Sequence, residues 1–506
     1  MSDLNFSRCK LPPFEHQKIG VQALINHPFF LLADEMGAGK TKQVIDAAQF
    51  LYCQQVIDRV VVIAPASVRA VWCDPELGEL VKHLWDGLPV LVTEFHTKTK
   101  QWMTAPNDPR LKWVITNYEF IRNSHLGTLL NIVGPKTLLV LDESTSIKNP
   151  RAAQTKACIR LRQLCGRVVL LNGTPIANHP GDMFAQGAIM YPHILSCKSY
   201  FMFRARYAVM GGYQQKVIIG WQNLDDLQQR FKPYVLRRLK KDCLDLPEAL
   251  APVTLTVPLT KSTWDVYKAM RDHMVAWLTK DSVTIAQQAV VKSLRLAQIT
   301  SGFVGGVEHD DHNGFTDSDP PVLLPAVPTE ISREKLDFLL SWHRERLEED
   351  PDLKLLVWVR FRSELMRLMS QFENGNGSST LRIGSIYGGQ KKADRETALR
   401  LLDPRTAPSN PVLLAGTYGT GSLGINLSAC HTVVNLSYDF SYWKFLQSAA
   451  RVDRPGQTHA VSYFDVVAVG PEGQKTIDHQ IVKARRAKED IAQWTTSAWV
   501  RALTEE

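Results

Sequence analysis

Ten short runs of apolar, mostly β-branched residues, separated by longer amphipathic stretches, constrain this chain more than any other feature. Five fall early: Phe29–Ala33, Val60–Ala64, Trp113–Thr116, Thr137–Leu141 and Val168–Leu171. Five fall late: Leu355–Val359, Leu381–Ile386, Val412–Ala415, Thr432–Leu436 and Val461–Val469. Short runs without polar alternation suit strands buried on both faces, and helical stretches between them imply parallel sheets. The expected fold class is α/β: two parallel-sheet lobes with helical insertions between them. At ~100–200 residues per domain, 506 residues leave room for about two to four domains. The expected divisions are a first lobe over 1–180, helical protrusions and a linker over 181–335, a second lobe over 336–474 and a helical brace over 475–506.

Between the lobes the pattern changes. Asn223–Leu239 and Thr263–Thr279 have helical periodicity without intervening strands, and Tyr207–Ile219, centred on Gly211-Gly212, reads as a hairpin. Gly305–Thr329 is rich in Gly, Pro and Asp and reads as a mobile loop. Its His309-Asp310-Asp311-His312 cluster has the residue types of a metal site, but a solvated acidic loop accounts for it without ligand geometry.

The formal charge of +8 fits a phosphate-bearing partner without requiring one. No apolar run approaches the ~18 residues of a membrane span, and Met1–Lys10 lacks the apolar core of a secretory signal. A cytoplasmic protein is expected, with no membrane partner. The eight cysteines never form a CxxC pair, so reduced buried thiols are expected instead of a zinc module or a disulfide frame.

Three segments carry chemistry. In LADEMGAGKT, Leu32–Thr41, an apolar strand enters a glycine-bearing loop followed by helical spacing at Val44, Ile45, Ala48 and Leu51. Glycines let backbone N–H groups close around an anion, and the helix N-terminus adds partial positive charge. Lys40 would reach the β- and γ-phosphates, and the Thr41 hydroxyl would ligate Mg²⁺. Asp34 stands where the GxxxxGK[ST] template has its first glycine. In LLVLDEST, Leu138–Thr145, acidic residues directly follow a buried strand, which is costly unless they meet a cation or a working proton. Asp142 would hold the magnesium through water, and Glu143 would orient and deprotonate the attacking water. In LQSAARVDRPGQ, Leu446–Gln457, the residues Gln447, Arg451 and Arg454 have the spacing of one helix face, ended by Pro455-Gly456. Arginines so placed can stabilise the charge of a transferring phosphoryl group.

These segments, in this order, resemble a Swi/Snf-type ATPase of helicase superfamily two over nearly the full chain. LPPFEHQKIGVQAL places Gln17 where the family reads adenine. VVIAPASVRAVW supplies Pro65 and Trp72, and VITNYE supplies Tyr118. SIKNP and LLNGTPIAN follow, the latter matching motif III at Gly173, Thr174 and Pro175. YVLRRLKKDCLDLP resembles the family's block after motif III. AGTYGTGSLGINLSAC resembles motif V at Gly421, Gly424, Asn426 and Leu427, and LQSAARVDRPGQ resembles motif VI. The chain departs from the family at Ser144-Thr145, Asn172 and Asp453, positions that bear on coupling between hydrolysis and movement. GWQNLDDLQQRFKPYVLRRLKKDCLDLP is most similar to the fork-remodelling, annealing-helicase branch.

The resemblance implies two RecA-like lobes that bind ATP and Mg²⁺ between them. Gln17, Gly37, Ala38, Gly39, Lys40 and Thr41 act from one side, and Gly424, Gln447, Arg451 and Arg454 from the other. Thr174 and Asn426 are implied in coupling. DNA, duplex or branched in preference to single-stranded, would lie against Ser67, Asn117 and Tyr118 in the first lobe and Gly388, Gly389 and Thr417 in the second. Arg237 and Arg238 would either touch DNA or pair with acids between the lobes. The expected activity is a DNA-stimulated translocase that remodels forks, recombination intermediates or protein–DNA complexes. A strand-separating DNA or RNA helicase and a nucleotide-gated clamp without turnover are the alternatives.

Overall fold

The computed structural model describes residues 4–485 apart from 67, 77, 96–107, 123–124, 174–179, 212–216, 245–249, 279–293, 306–326, 374–379, 423–425, 440, 455–456 and 484. Its chain forms two compact units, Met1–Asp245 and Leu246–Glu489. The stretch 181–335 is therefore shared between them.

The strands of the first unit are β1 (Phe29–Leu32), β2 (Arg59–Ala64), β3 (Val90–Glu94), β4 (Leu111–Asn117), β5 (Thr137–Leu141), β6 (Arg167–Leu171) and, beyond the antiparallel hairpin β7 (Ala208–Gly211) and β8 (Val217–Trp221), the two-residue β9 (Val235–Leu236). Their sheet runs β3-β4-β2-β5-β6-β1-β9, and each adjacent pair is parallel. Alternate residues of each strand serve two cores. Leu31, Val61, Ile63, Leu139, Leu141, Val168 and Leu170 enter one. Phe30, Leu32, Val60, Val62, Leu138, Val140, Val169 and Leu171 enter the other. Burial on both faces is why the runs lack polar alternation.

The second unit repeats the plan. Its strands are β10 (Val253–Pro258), the short antiparallel pair β11 (Phe303–Val304) and β12 (Thr329–Glu330), then β13 (Lys354–Val359), β14 (Arg382–Ile386), β15 (Val412–Thr417), β16 (Thr432–Asn435) and β17 (Ser462–Val469). The main sheet, β10-β17-β16-β13-β15-β14, is parallel throughout.

All ten apolar runs are strands, and the hairpin is where its glycines place it. The expectation of helix without strands between residues 223 and 239 fails at its end. The helix Leu224–Phe231 gives way at Pro233 to a single 3₁₀ turn, and Val235–Leu236 then joins the first sheet. Proline lacks the N–H a helix needs and favours the break. The edge strands β3 and β10 were missed, because each is short and partly exposed. The His309–His312 cluster lies outside the described residues. Among the described residues no group of three or more His, Cys, Asp or Glu is placed to hold a metal, and no helix is long and apolar enough to cross a membrane. All eight cysteines are free, but only Cys9, Cys158, Cys165 and Cys430 are buried.

Candidate nucleotide site and nucleic-acid face

Parallel strands put the carboxyl ends of β1, β2, β4, β5 and β6 at one sheet edge, where open α/β sheets bind ligands. Strand β6 separates β1 from β5, so the glycine loop and the acid pair leave the sheet two strands apart.

The loop after β1 runs into helix α2 (Lys40–Cys53), following α1 (Glu15–Asn26) in the chain. Gly37 and Gly39 have φ of 91° and 79°, a left-handed backbone that only glycine adopts freely. At Gly39 a side chain is excluded twice, since its Cβ would lie 2.3 Å from Gln17 Nε2. Gln17 donates to Ala38 O at 3.3 Å and accepts from Phe14 N at 3.1 Å, so it steadies the loop from α1. His16 Nε2 lies 2.9 Å from the same carbonyl, which only accepts, so Nε2 carries the proton. Lys40 donates to Asp34 O at 2.7 Å and Glu35 O at 3.2 Å. Burial pulls its ammonium below the ordinary value; the charges of Glu143, Asp34, Asp142 and Glu35 oppose that pull, Glu143 most strongly. The acid pair after β5 therefore faces the lysine of the loop after β1.

Asp142 and Glu143 are held tightly. Asp142 N donates to Ile63 O at 2.9 Å, the Trp72 indole donates to Asp142 Oδ2 at 2.8 Å, and Glu143 N donates to Oδ1 at 2.9 Å. Glu143 has φ 50°, ψ 59°, a left-handed backbone costly for a residue with a Cβ and typical of functional sites. Ser144, the departure beside it, donates to Gln186 Oε1 at 2.7 Å. Thr41 sits in the first turn of α2, and with Asp142 it offers oxygen donors of the kind Mg²⁺ takes. Glycine loop, cation, hydroxyl and acid pair fit a nucleotide with its magnesium.

Asp34 is wholly buried and paired through both oxygens with Arg238, which also bonds Gln43 Oε1 at 3.0 Å and the His16 carbonyl. Backbone bonds run alongside, from Ala33 N to Leu236 O at 2.7 Å and Glu35 N to Arg238 O at 2.9 Å. Arg238 pairs with an acid, but with one of its own unit and not with one between the lobes as expected. Arg237 donates to Gly173 O at 3.4 Å, and burial draws its guanidinium down to about 10 against the pull of Glu35 and Asp34. Gly173 packs on the nucleotide loop, where a Cβ would lie 2.5 Å from Met36. Sequence reasoning missed the Asp34–Arg238 pair, although an acid in a glycine position signals a partner nearby.

Among the nucleic-acid candidates, Asn117 caps the helix Tyr118–Ile121 by accepting from Phe120 N at 2.8 Å. Tyr118 corrects an expectation. It is 3% exposed and its hydroxyl donates to Asp142 O at 2.8 Å, so it faces the acid pair instead of a bound strand. Ser67, Thr174 and Gly424 lie outside the described residues.

In the second unit, Gly388 and Gly389 follow β14, exposed and with open space where a side chain would stand. Thr417 ends β15, and its carbonyl accepts from Thr420 Oγ1 at 2.6 Å. Asn426 accepts from Ser428 N at 3.2 Å, and Gln447 is buried. The expected helix through Gln447, Arg451 and Arg454 stops at Ala449. Beyond it Arg451 N and Val452 N bond three residues back, to Ser448 and Ala449, and the Arg451 carbonyl accepts from Leu427 N at 2.9 Å. Leaving the helical ladder for the 427 segment tightens the chain into turns. Arg451 is buried, and Arg454 Nε folds back on Ala450 O at 2.9 Å.

A second missed group links these segments. Arg485 donates to Asp465 Oδ2 at 2.6 Å, Asn435 Nδ2 donates to Asp465 Oδ1 at 2.8 Å, and Tyr418 donates to Asn435 Oδ1 at 2.7 Å. The Arg485 guanidinium also lies 4.0 Å from the centre of the Phe445 ring. Burial opposes its charge, but the Asp465 carboxylate raises its proton affinity above the ordinary value.

Comparison with known proteins also divides the chain in two, although the first match runs past residue 245 into the second unit. The SNF2-related domain matches residues 16–302, and the helicase conserved C-terminal domain matches 334–456. The chain is 25% identical over 502 residues to the chromatin structure-remodeling complex subunit snf21 of Schizosaccharomyces pombe, covering 94% of this chain and 38% of that protein. It is 23% identical over 503 residues to the SNF2 domain-containing protein ENL1 of Oryza sativa subsp. japonica, covering 90% and 48%. It is 23% identical over 480 residues to the SWI/SNF-related matrix-associated actin-dependent regulator of chromatin subfamily A-like protein 1 of Xenopus laevis, covering 91% and 42%. The chain thus spans less than half the length of these relatives. The Sulfolobus solfataricus SWI2/SNF2 ATPase core in complex with dsDNA is 22% identical, with a TM-score of 0.42 over 100% of this chain and 99% of that one. The SNF2-related match alone takes in more than half of the chain, and with two RecA-like lobes the chain belongs to the Swi/Snf-type ATPases of helicase superfamily two.

Proposed function

We propose that this chain is an ATP-driven motor on DNA, hydrolysing ATP when duplex or branched DNA binds and remodelling forks, recombination intermediates or protein–DNA complexes. The observation that carries the reading is the left-handed glycine loop leading to Lys40 and the acid pair Asp142-Glu143, both at the carboxyl ends of parallel strands in one sheet. ATP supplies the anhydride bond to be broken, and Mg²⁺ the charge that neutralises its phosphate oxygens. Lys40 and the N–H groups around Gly37 and Gly39 hold the phosphates. Thr41 and Asp142 would hold the magnesium. Glu143 orients the attacking water and takes its proton. Gln17 joins the adenine side to the loop through Ala38. Arg451 and Arg454 lend charge to the transferring phosphoryl group.

DNA as the activating ligand is supported by relatives named for chromatin remodelling and by the net charge of +8. Open glycines after β14 allow close backbone approach to a phosphate. The test is steady-state ATP hydrolysis with duplex, forked and single-stranded DNA and with RNA, at two salt concentrations. Activation by duplex or forked DNA that weakens with salt is expected, with triplex displacement but no unwinding of a tailed duplex. Activation by RNA alone, or efficient unwinding, makes the chain a strand-separating helicase. Binding without turnover makes it a clamp.

A further inference from the structure

Asp142 and Glu143 share one peptide unit, and that unit is pinned from two sides. Its carbonyl, on Asp142, accepts from Tyr118 Oη at 2.8 Å. Its N–H, on Glu143, donates to Asp142 Oδ1 at 2.9 Å. The other carboxylate oxygen accepts from Trp72 Nε1 at 2.8 Å. Trp72 is fully buried and Tyr118 nearly so, leaving no water to replace either donor cheaply. The plane of this peptide helps set φ of Glu143, and Glu143 stands at φ 50°, where an L-residue stays only while its surroundings hold it.

The two donors do not belong to the nucleotide loop. Trp72 lies on α3 (Arg69–Cys73), which follows β2 through a turn closed by Val68 N and Arg69 N on Pro65 O. Tyr118 opens the helix after β4. These are the two first-unit segments in which the family resemblance implies nucleic-acid contacts, at Asn117 and at Ser67, which lies outside the described residues. Each therefore carries, within a few residues, a candidate DNA contact and a donor to the acid pair.

We propose that Trp72 and Tyr118 are positioning residues that convert DNA binding on their segments into the working orientation of Glu143. A shift of α3 turns the Asp142 carboxylate through the indole, and a shift of the Tyr118 helix turns the peptide through its carbonyl. Both rotations reach Glu143; the first also moves Asp142, which would hold the magnesium, and the second leaves Lys40 and the glycine loop in place. The proposal rests on the reading of the chain as a DNA-stimulated ATPase.

Tyr118→Phe and Trp72→Phe each remove one donor and keep an aromatic ring. The measurement is kcat with saturating duplex DNA divided by kcat without it, together with KM for ATP and the Kd for DNA. For each variant the ratio should fall at least ~10-fold, within the span of ordinary coupling between sites, while Kd stays within about three-fold of the parent, as does KM in Tyr118→Phe, whose lost bond is to the Asp142 carbonyl and not to its carboxylate. A defect of folding alone lowers both rates in proportion and leaves the ratio intact, so an unchanged ratio in Tyr118→Phe, the milder variant, overturns the proposal. If no nucleic acid accelerates the unmodified chain, the underlying reading fails as well. Acceleration of the parent with equal acceleration of both variants removes the coupling alone.

Discussion

The two sheets are built alike and used differently. Both are parallel and covered on both faces, yet among the described residues only the first pairs a lysine-bearing glycine loop, at Lys40, with adjacent acids, Asp142 and Glu143, at its strand ends. In the first unit, side chains from distant segments converge on the loops: Gln17 on Ala38, Arg238 on Asp34, Trp72 on Asp142. In the second, the arginine segment is held locally, with Arg451 O taking Leu427 N and Arg454 Nε resting on Ala450 O, while the distant side chains meet elsewhere, at Asp465. The frame is common and the chemistry lies in what each set of loops adds.

Replacing Arg454 with alanine tests that division most severely. If the second unit gives charge to the reaction and little to binding, turnover should drop ~1,000-fold, as for other arginine fingers, with ATP affinity within a few-fold. Nucleotide binding and single-turnover rates on one preparation decide it. Loss of DNA binding with normal turnover would make these turns a nucleic-acid contact.

Within the first unit, Glu143→Gln and Lys40→Ala should separate chemistry from binding. The glutamine keeps shape but loses the base, so hydrolysis should fall ~100-fold or more while nucleotide still binds. Alanine at position 40 should weaken binding itself. Titration of a fluorescent nucleotide into both variants tells them apart.

Arg238→Ala addresses the convergence of side chains. It leaves the Asp34 carboxylate buried, with Gln43 Nε2 still donating to it at 3.1 Å, and stranding such a charge costs roughly 3 kcal/mol. Denaturant titration of the variant and of Asp34→Gly/Arg238→Met should show the double change recovering much of that loss.

The smallest effect belongs to the second unit. His343 packs edge-on against Phe372, and burial pulls its imidazole down to about 4. The unfolded chain takes up this proton near pH 6.5 and the folded one only near 4. Stability is therefore full above 6.5, falls between 6.5 and 4, and levels off below. By pH 5 the loss is roughly 2 kcal/mol. His343→Leu should flatten that limb in thermal melts at stepped pH.

Strands buried on both faces were legible because their period needs no tertiary information: β5 matches its apolar run residue for residue. Val235–Leu236 was not, since a two-residue strand is made by its neighbour's backbone bonds and not by its own pattern. In the site, Lys40 and Glu143 could be read from local spacing. Tyr118 could not, because a tyrosine after a strand looks the same whether it faces solvent or turns inward. The arginine turns escaped for a similar reason: the short bonds of Arg451 N and Val452 N that replace the helix after Ala449 leave no mark in the residue spacing.

The Asp34–Arg238 pair also bears on portability. A nucleotide-binding loop is often treated as a cassette that can be exchanged between proteins by sequence alone. Here the cassette is wired to a residue about two hundred positions downstream. A grafted loop with glycine at position 34 would leave Arg238 without its carboxylate, and a fragment cut before β9 would leave Asp34 buried without its arginine. The smallest transferable unit is therefore not the ten-residue loop but the whole first sheet, up to and including its last short strand.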